Sequence, residues 1–254
     1  MTQGQRHRSI LEYLDSKGEL IVDVACNLFN ASPATIRRDF NQLVNDQLAE
    51  KTWGGIIKKM ESGNAGNSML PLSYRQEQFV EEKKKIAEKA ASLIEDGDVV
   101  MIDGGTTTFF MAPFLANRHI RIITNSIIIA YQIDKDKTEK QGAEVFLTGG
   151  MLYPESGLLV GPQTNSSIKT YHAKWAFLSA GAVDENGPSN SNQLVVESEQ
   201  AMIHQSTKTV LLADHSKFDK RNMCSLCNWE DIDQVITNYS GKLYSKLKGK
   251  LHKV

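Results

Sequence analysis

Apolar positions in residues 1–60 recur with the spacing of helices. In QRHRSILEYLD (5–15), Ile10, Leu11 and Leu14 share one helical face, and Gly18 stands where such a helix would stop. IVDVACNLF (21–29) predicts a second short helix with Val24, Ala25 and Leu28 turned inward. After the polar connection NAS (30–32) comes ASPATIRRDF (31–40). There Ser32 can cap a first-turn N–H, and Pro33 suits the first helical position, where its missing N–H costs nothing. Ile36, Phe40 and Leu43 follow at i, i+4 and i+7 as a buried stripe. Ala34, Arg38 and Asn41 fall on the opposite side, flanked by Thr35, Arg37 and Gln42. Three helices with a short turn between the second and third predict a helix-turn-helix. LAEKTWGGIIKKM (48–60) then reads as strand, Gly54-Gly55 turn and strand, a hairpin or wing.

ESGNAGNSM (61–69) has no period and is rich in Gly, Asn and Ser, which marks a linker. Beyond it the pattern changes. A charged helix, EEKKKIAEKAASLI (81–94), leads into the apolar run VVMID (99–103), and FFMAPFLA predicts a short helix carrying Pro113. Further apolar runs lie at 120–126, 143–150, 174–183, 208–214 and 233–238, mostly separated by helical or loop segments. That spacing predicts an α/β unit with a mostly parallel sheet. The expected organisation is a winged helix-turn-helix (three helices plus hairpin) over 1–60, a linker over 61–74 and a larger α/β domain over 75–254.

Composition narrows the class. The chain has 254 residues, 41% hydrophobic and 23% charged, which is globular rather than disordered. No apolar run approaches a membrane span, and the first residues carry no signal-peptide pattern. With three cysteines, this points to a reducing, cytoplasmic setting. Cys224 and Cys227 form a lone C-x-x-C without the second ligand pair that a zinc site needs, so no metal is expected. Net charge is −1, and residues 1–60 are nearly balanced. That argues against bulk nonspecific binding of nucleic acid, while leaving room for a site-specific module with its positive groups on one side.

The candidate chemistry lies in two places. On the third helix, Ser32, Thr35, Arg37, Arg38 and Asn41 are the residue types that read base edges and phosphates, although a solvated helix face would look the same. Around the wing, Lys51, Trp53, Lys58 and Lys59 would suit phosphate contacts. In the larger domain several strands end in small polar loops: DGGTTT, TNS, TGG, SAG and ADHSK. Ligands of open parallel sheets bind beyond the carboxyl ends of the strands. Gly104 and Gly105 would admit a ligand close to the backbone, and Thr106, Thr107 and Thr108 stand where a helix begins, as in an anion site. A plain strand-to-helix turn with threonine capping reads equally well. No G-K-[ST] follows, so it is not a Walker motif.

Taken as a unit, Arg6, Ile10, Leu14, Ser32, Thr35, Ile36, Arg37, Arg38, Asp39 and Phe40 resemble the helix-turn-helix signature of the DeoR family of bacterial transcription regulators. The resemblance continues through WGG (53–55), EKKKIAEKAASLIEDGD, DGGTTT, TNS, TGG, VGP (160–162) and LLADHSKF (211–218), so it covers nearly the whole chain in order. It implies a winged helix-turn-helix on double-stranded operator DNA and a sensor domain like sugar-phosphate isomerases. It also implies repression of a carbohydrate operon relieved by a phosphorylated sugar, and a homo-oligomer, dimer or tetramer, with no cofactor and no catalytic residue. Carried onto this sequence, Asp103–Thr108 would hold the phosphate, with Asn125, Ser126, Gly149, Gly150 and Lys217 lining the pocket and Lys217 acting as a mobile point charge.

The chain departs from the family in LVVESE, which puts Val195 and Glu199 where Glu and Lys are usual. It also has Gly181 where an isomerase would place an acid. Two other readings are an isomerase-like enzyme with an accessory module, for which Asp103 and Asp214 are the acid candidates at strand ends, and a regulator whose sensor has lost its small molecule.

Overall fold

The computed structural model describes residues 2–46, 48–52, 54–58, 72–153, 156–241, 244–247 and 249–254. The chain divides into two units, Met1–Ala65 and Gly66–Val254. In the first, α1 (Gln3–Lys17) opens with a capping box in which Thr2 accepts from the Gln5 amide and the Gln5 side chain accepts from that of Thr2. It stops at Gly18, whose φ of 79° suits glycine. Next come β1 (Glu19–Ile21), α2 (Val22–Phe29), α3 (Pro33–Asn45), β2 (Ala49–Thr52) and β3 (Gly55–Lys58). The hairpin is larger than expected, because β1 adds to it as a third antiparallel strand in the order β1-β3-β2. Gly55 is needed for this approach, since a Cβ there would lie 2.4 Å from the Leu20 carbonyl oxygen.

The pairing of β1 also resets the phase of α2. Val22 and Ala25 are buried, with Cys26 and Phe29 half-buried, whereas Val24 and Leu28, expected inward, are exposed at 36% and 52%. IVDVACNLF is apolar on either phase, so periodicity alone could not choose between them. The core joins Ile10 and Leu14 of α1 to Leu20, Ala25, Ile36, Phe40, Leu43 and Ile56.

The first described elements of the second unit are α4 (Leu72–Glu77), whose first three residues fall in the stretch expected to be linker, and α5 (Val80–Ala91). Then follow β4 (Val99–Ile102), α6 (Thr106–Phe109), α7 (Ala112–Leu115), β5 (Arg121–Thr124), α8 (Ile127–Asp136) and β6 (Glu144–Leu147). A hairpin, β7 (Met151–Tyr153) and β8 (Leu158–Val160), leads to α9 (Pro162–Ile168) and β9 (Ala173–Ser179). A second hairpin, β10 (Ala182–Asp184) and β11 (Gly187–Asn190), precedes α10 (Gln193–His204) and β12 (Ser206–Leu212). β13 (Cys224–Ser225), β14 (Gln234–Thr237) and β15 (Leu251–Lys253) complete it.

Seven strands form one sheet in the order β15-β14-β12-β9-β4-β5-β6, every neighbouring pair parallel. The period of two sends alternate residues to opposite faces. Val100, Ile102, Ile122 and Val210 pack with Ile86, Leu115 and Ile133 of α5, α7 and α8, while Met101, Ile123 and Leu211 pack with Ile168, Val196 and Met202 of α9 and α10. The chain leaves β4 toward β5 and β6 on one side and returns as β9, β12, β14 and β15 on the other. The order therefore reverses between β4 and β9, and a crevice opens at such a point beyond the carboxyl ends. Among the described residues no helix is long and apolar enough to cross a membrane.

Candidate nucleic-acid interface and ligand site

The start of α3 is built as its sequence dictates. The Ser32 hydroxyl accepts from the Thr35 amide at 3.3 Å and lies 2.9 Å from the Thr35 hydroxyl, and Pro33 occupies the first turn. Ile36, Phe40 and Leu43 are buried, while Ala34, Arg37, Arg38, Asn41 and Gln42 are exposed and Thr35 is half-buried. Asp39, one residue from the arginine pair, points the other way and is buried. It accepts from Arg6 Nε and, at 3.2 Å, from Arg6 Nη2, and lies 3.1 Å from His7 Nε2. Burial pushes the Asp39 carboxyl up, but Arg6 and His7 outweigh it and hold it below the usual range. The hydrogen bond to Asp39 in turn raises Arg6.

The near balance of charge in this unit therefore conceals an asymmetry. The acid beside Arg37 and Arg38 is spent inside, and among the described residues no carboxylate pairs with either arginine. Lys51 Nζ donates to Asn41 Oδ1 at 3.3 Å, which ties the wing strand to α3. Lys58 is engaged with Asp15 at 2.7 Å on the surface. Trp53 and Lys59 lie outside the described residues.

At the end of β4, Asp103 Oδ2 accepts from the Ser179 hydroxyl of β9 at 3.0 Å, which bridges the crevice. A Cβ on Gly105 would sit 1.9 Å from Ser179 Oγ, so only glycine lets the loop turn there. Thr106, Thr107 and Thr108 are buried, but the Thr108 hydroxyl is spent on the Asp103 and Gly105 carbonyls, at 2.6 and 2.9 Å. Thr108 therefore closes the turn. Asn125 Nδ2 donates to the Leu159 carbonyl at 3.2 Å, and Ser126 caps α8 by accepting from the Ile129 amide at 3.3 Å. Gly149 and Gly150, with φ of 73° and 121°, make the turn from β6 to β7, and the Gly149 carbonyl accepts from Thr164 at 2.7 Å.

Lys217, which the resemblance implies is a mobile point charge, is enclosed by the protein. It is only 8% exposed, and burial lowers it to about 8, with Asp214 opposing the shift and Arg75 and Lys220 adding to it. Asp214, fully buried, accepts from the amide and hydroxyl of Ser216, at 2.9 and 2.5 Å.

Several groups here escaped the sequence reading. Lys83, 2% exposed, donates to the Arg75 carbonyl and is also lowered to about 8, by burial against the attraction of Asp214. Its place on the stripe of Ile86, Ala87 and Ala90 was a usable signal, hidden by the run EEKKK. Burial lowers Arg75 too, against the opposing pull of Asp103. On α10, Glu199 is 1% exposed; burial first, then the Asp103 charge, raises it well above the usual range. Val195 instead packs on Leu158 and Val160, an apolar contact. Cys227 is pushed up to about 12 by burial, Asp231 and Glu199, so its thiol stays protonated. The described residues hold no group of three or more His, Cys, Asp or Glu suited to a metal.

Residues 6–60 match the DeoR-like helix-turn-helix domain, and residues 78–239 match the DeoR C terminal sensor domain. The chain is 30% identical over 239 residues to the uncharacterized HTH-type transcriptional regulator YulB of Bacillus subtilis (strain 168), covering 94% of this chain and 90% of that one. It is 30% identical over 240 residues to the glycerol-3-phosphate regulon repressor of Escherichia coli (strain K12), covering 94% and 92%. Ribose 5-phosphate isomerase A of Methanocaldococcus jannaschii aligns with a TM-score of 0.36 at 17% identity, over 54% of this chain and 53% of that one.

Proposed function

The chain belongs to the DeoR family of transcriptional regulators, and we propose that it represses a carbohydrate-utilisation operon and leaves its operator when a phosphorylated sugar occupies the crevice beyond β4, β5, β9 and β12. The observation that carries this reading is the pairing of an uncompensated arginine face on α3 with buried cations at the switch point of the sheet. Arg37 and Arg38 would contact phosphate or guanine, Ser32, Thr35 and Asn41 would set the helix on the groove, and Lys51 would hold backbone phosphate.

In the crevice, the backbone of Gly104–Thr107 with Lys83 and Lys217 would take the phosphate. Buried lysines are costly when charged and unpaired, and a phosphate dianion offsets that cost. Asp103, Asn125, Ser126 and the Gly149-Gly150 turn would bound the sugar. The relatives with assigned roles are named as regulators, one of them for a phosphorylated polyol, glycerol 3-phosphate. We read the crevice as a binding site without turnover, and the working form as a homo-oligomer that presents paired recognition helices in one of two states biased by the sugar.

Calorimetric titration of sugar phosphates into the full chain tests the sensor. One compound should bind, and Lys83→Met should weaken it about tenfold or more. Unchanged affinity in that variant would remove the lysines from the site.

A further inference from the structure

The crevice holds two buried carboxyls, and among the described residues one cation, Arg75, is seen to act on them, through Asp103. Asp103 ends β4 and Glu199 projects from α10, and the two buried carboxyls face one another. Glu199 is held in place by Asn190 of β11, whose Nδ2 donates to both carboxyl oxygens, at 2.6 and 2.8 Å. Asn190 is itself fixed, because its Oδ1 accepts from the Gly181 amide at 2.6 Å. The charged or titratable groups acting on this pair are Arg75, felt by Asp103, and the Cys227 thiol, felt by Glu199. No lysine or arginine pairs with Glu199 among the described residues.

A second observation points to what is missing. At the ends of β4, β5 and β12, and apart from any proton shared between Asp103 and Glu199, three buried oxygens meet no donor among the described residues: Asp103 Oδ1, Asn125 Oδ1 and Asp214 Oδ2. All three are acceptors. Ile102 of β4 pairs with Thr124 of β5, so the next residues, Asp103 and Asn125, stand side by side. Buried polar atoms are nearly always satisfied, so this end of the crevice demands donors. Two carboxyls beside an amide oxygen also demand positive charge.

We propose that Asp103 and Glu199 form a subsite for a protonated primary amine, so that the effector is an amino-sugar phosphate with a free ammonium group. This deepens the sugar-phosphate reading and rests on it. The phosphate meets Lys83 and Lys217, while the ammonium lies between the carboxyls with Asn125 as a further acceptor. A neutral hydroxyl in that place brings one hydrogen and no charge. An ammonium brings three hydrogens and the missing charge. Without ligand, one proton shared by the pair does the same service, so ammonium binding expels it.

The test is calorimetry on the full chain at about pH 6.5, where an amine of pKa ~7.7 is charged. The ligands are glucosamine 6-phosphate, glucose 6-phosphate and N-acetylglucosamine 6-phosphate, with the galactose series alongside. The free amine should bind about tenfold or more tightly than its hydroxyl and N-acetyl counterparts. Paired buffers of different ionisation heat should report more proton release with the amine than with its hydroxyl and N-acetyl counterparts. In Glu199→Gln the preference and that extra proton release should vanish while hexose phosphates still bind.

Equal binding of amine and hydroxyl forms by the native chain would overturn the proposal and leave the sugar-phosphate sensor standing, whether or not the variant folds. Preference retained in Glu199→Gln would also overturn it, as would amine binding that depends on added magnesium or calcium. If no hexose phosphate binds, the sugar-phosphate reading fails and takes this inference with it.

Discussion

Asp39 in the N-terminal unit and Asp103 in the C-terminal unit are both buried, at 1% and 2% exposure, yet they differ in what meets them. Arg6 and His7 come from α1 to Asp39, and its carboxyl stays charged. Asp103 meets a serine and a second buried acid, and burial raises its carboxyl above the usual range. The first arrangement is complete within the chain and locks two helices together. The second is incomplete, and a fold keeps such a deficit where something else supplies the difference. A satisfied buried charge marks architecture; an unsatisfied one marks a site.

Removing the satisfied charge should have the largest effect. Asp39→Ala leaves Arg6 and His7 beside a vacated carboxyl and should destabilise the N-terminal unit by about 3 kcal/mol. Hydrogen exchange of α1 and α3 amides would report it, with the C-terminal unit unaffected. Arg38→Ala should weaken operator binding by about 1–3 kcal/mol without altering the melting of either unit, since its side chain is exposed. Lys51→Ala should act more evenly across DNA sequences and reduce the salt slope by about one counter-ion.

The acid-rich end of the crevice offers gentler tests through pH. A carboxyl whose folded pKa is raised holds its proton more tightly in the folded state. Stability from Glu199 is therefore present at low pH and falls as pH rises above its ordinary 4.5, a slope that Glu199→Gln should flatten. The lysines run the opposite way. Lys83 and Lys217 are lowered from 10.5 to about 8, so their charging cost is fully present below about 8 and is relieved as pH rises toward 10.5. Affinity for a phosphate ligand should decline over the same rise, because neutral lysines no longer attract it. Titrations at successive pH values would detect the trend, and a flat profile would separate the lysines from the anion.

The DNA-binding unit was largely legible because its signals are local. Ser32, Pro33 and the stripe of Ile36, Phe40 and Leu43 specify one helix in thirteen residues. What escaped was β1, three residues long and recognisable only by its pairing with β3, and with it the phase of α2. In the C-terminal unit the apolar runs announced the parallel strands, and the polar loops after them marked the crevice. Its charged lining was hidden for physical reasons. Lys83 sits in a run that reads as solvated, and Arg75 lies in a six-residue helix with no period to read. Asn190 reaches Glu199 from a strand spelled GPSN, which carries no strand signal.

The proposed regulator both holds operator DNA and surrenders it to a phosphorylated sugar. Fluorescence anisotropy tests this on labelled DNA from upstream of the protein's own gene and neighbouring operons, first with protein alone and then with a panel of sugar phosphates. The expected result is tight binding that one phosphorylated sugar reverses and that Arg38→Ala weakens from the start. Tight binding untouched by every compound, or no binding even at low salt where phosphate contacts are strongest, would contradict it.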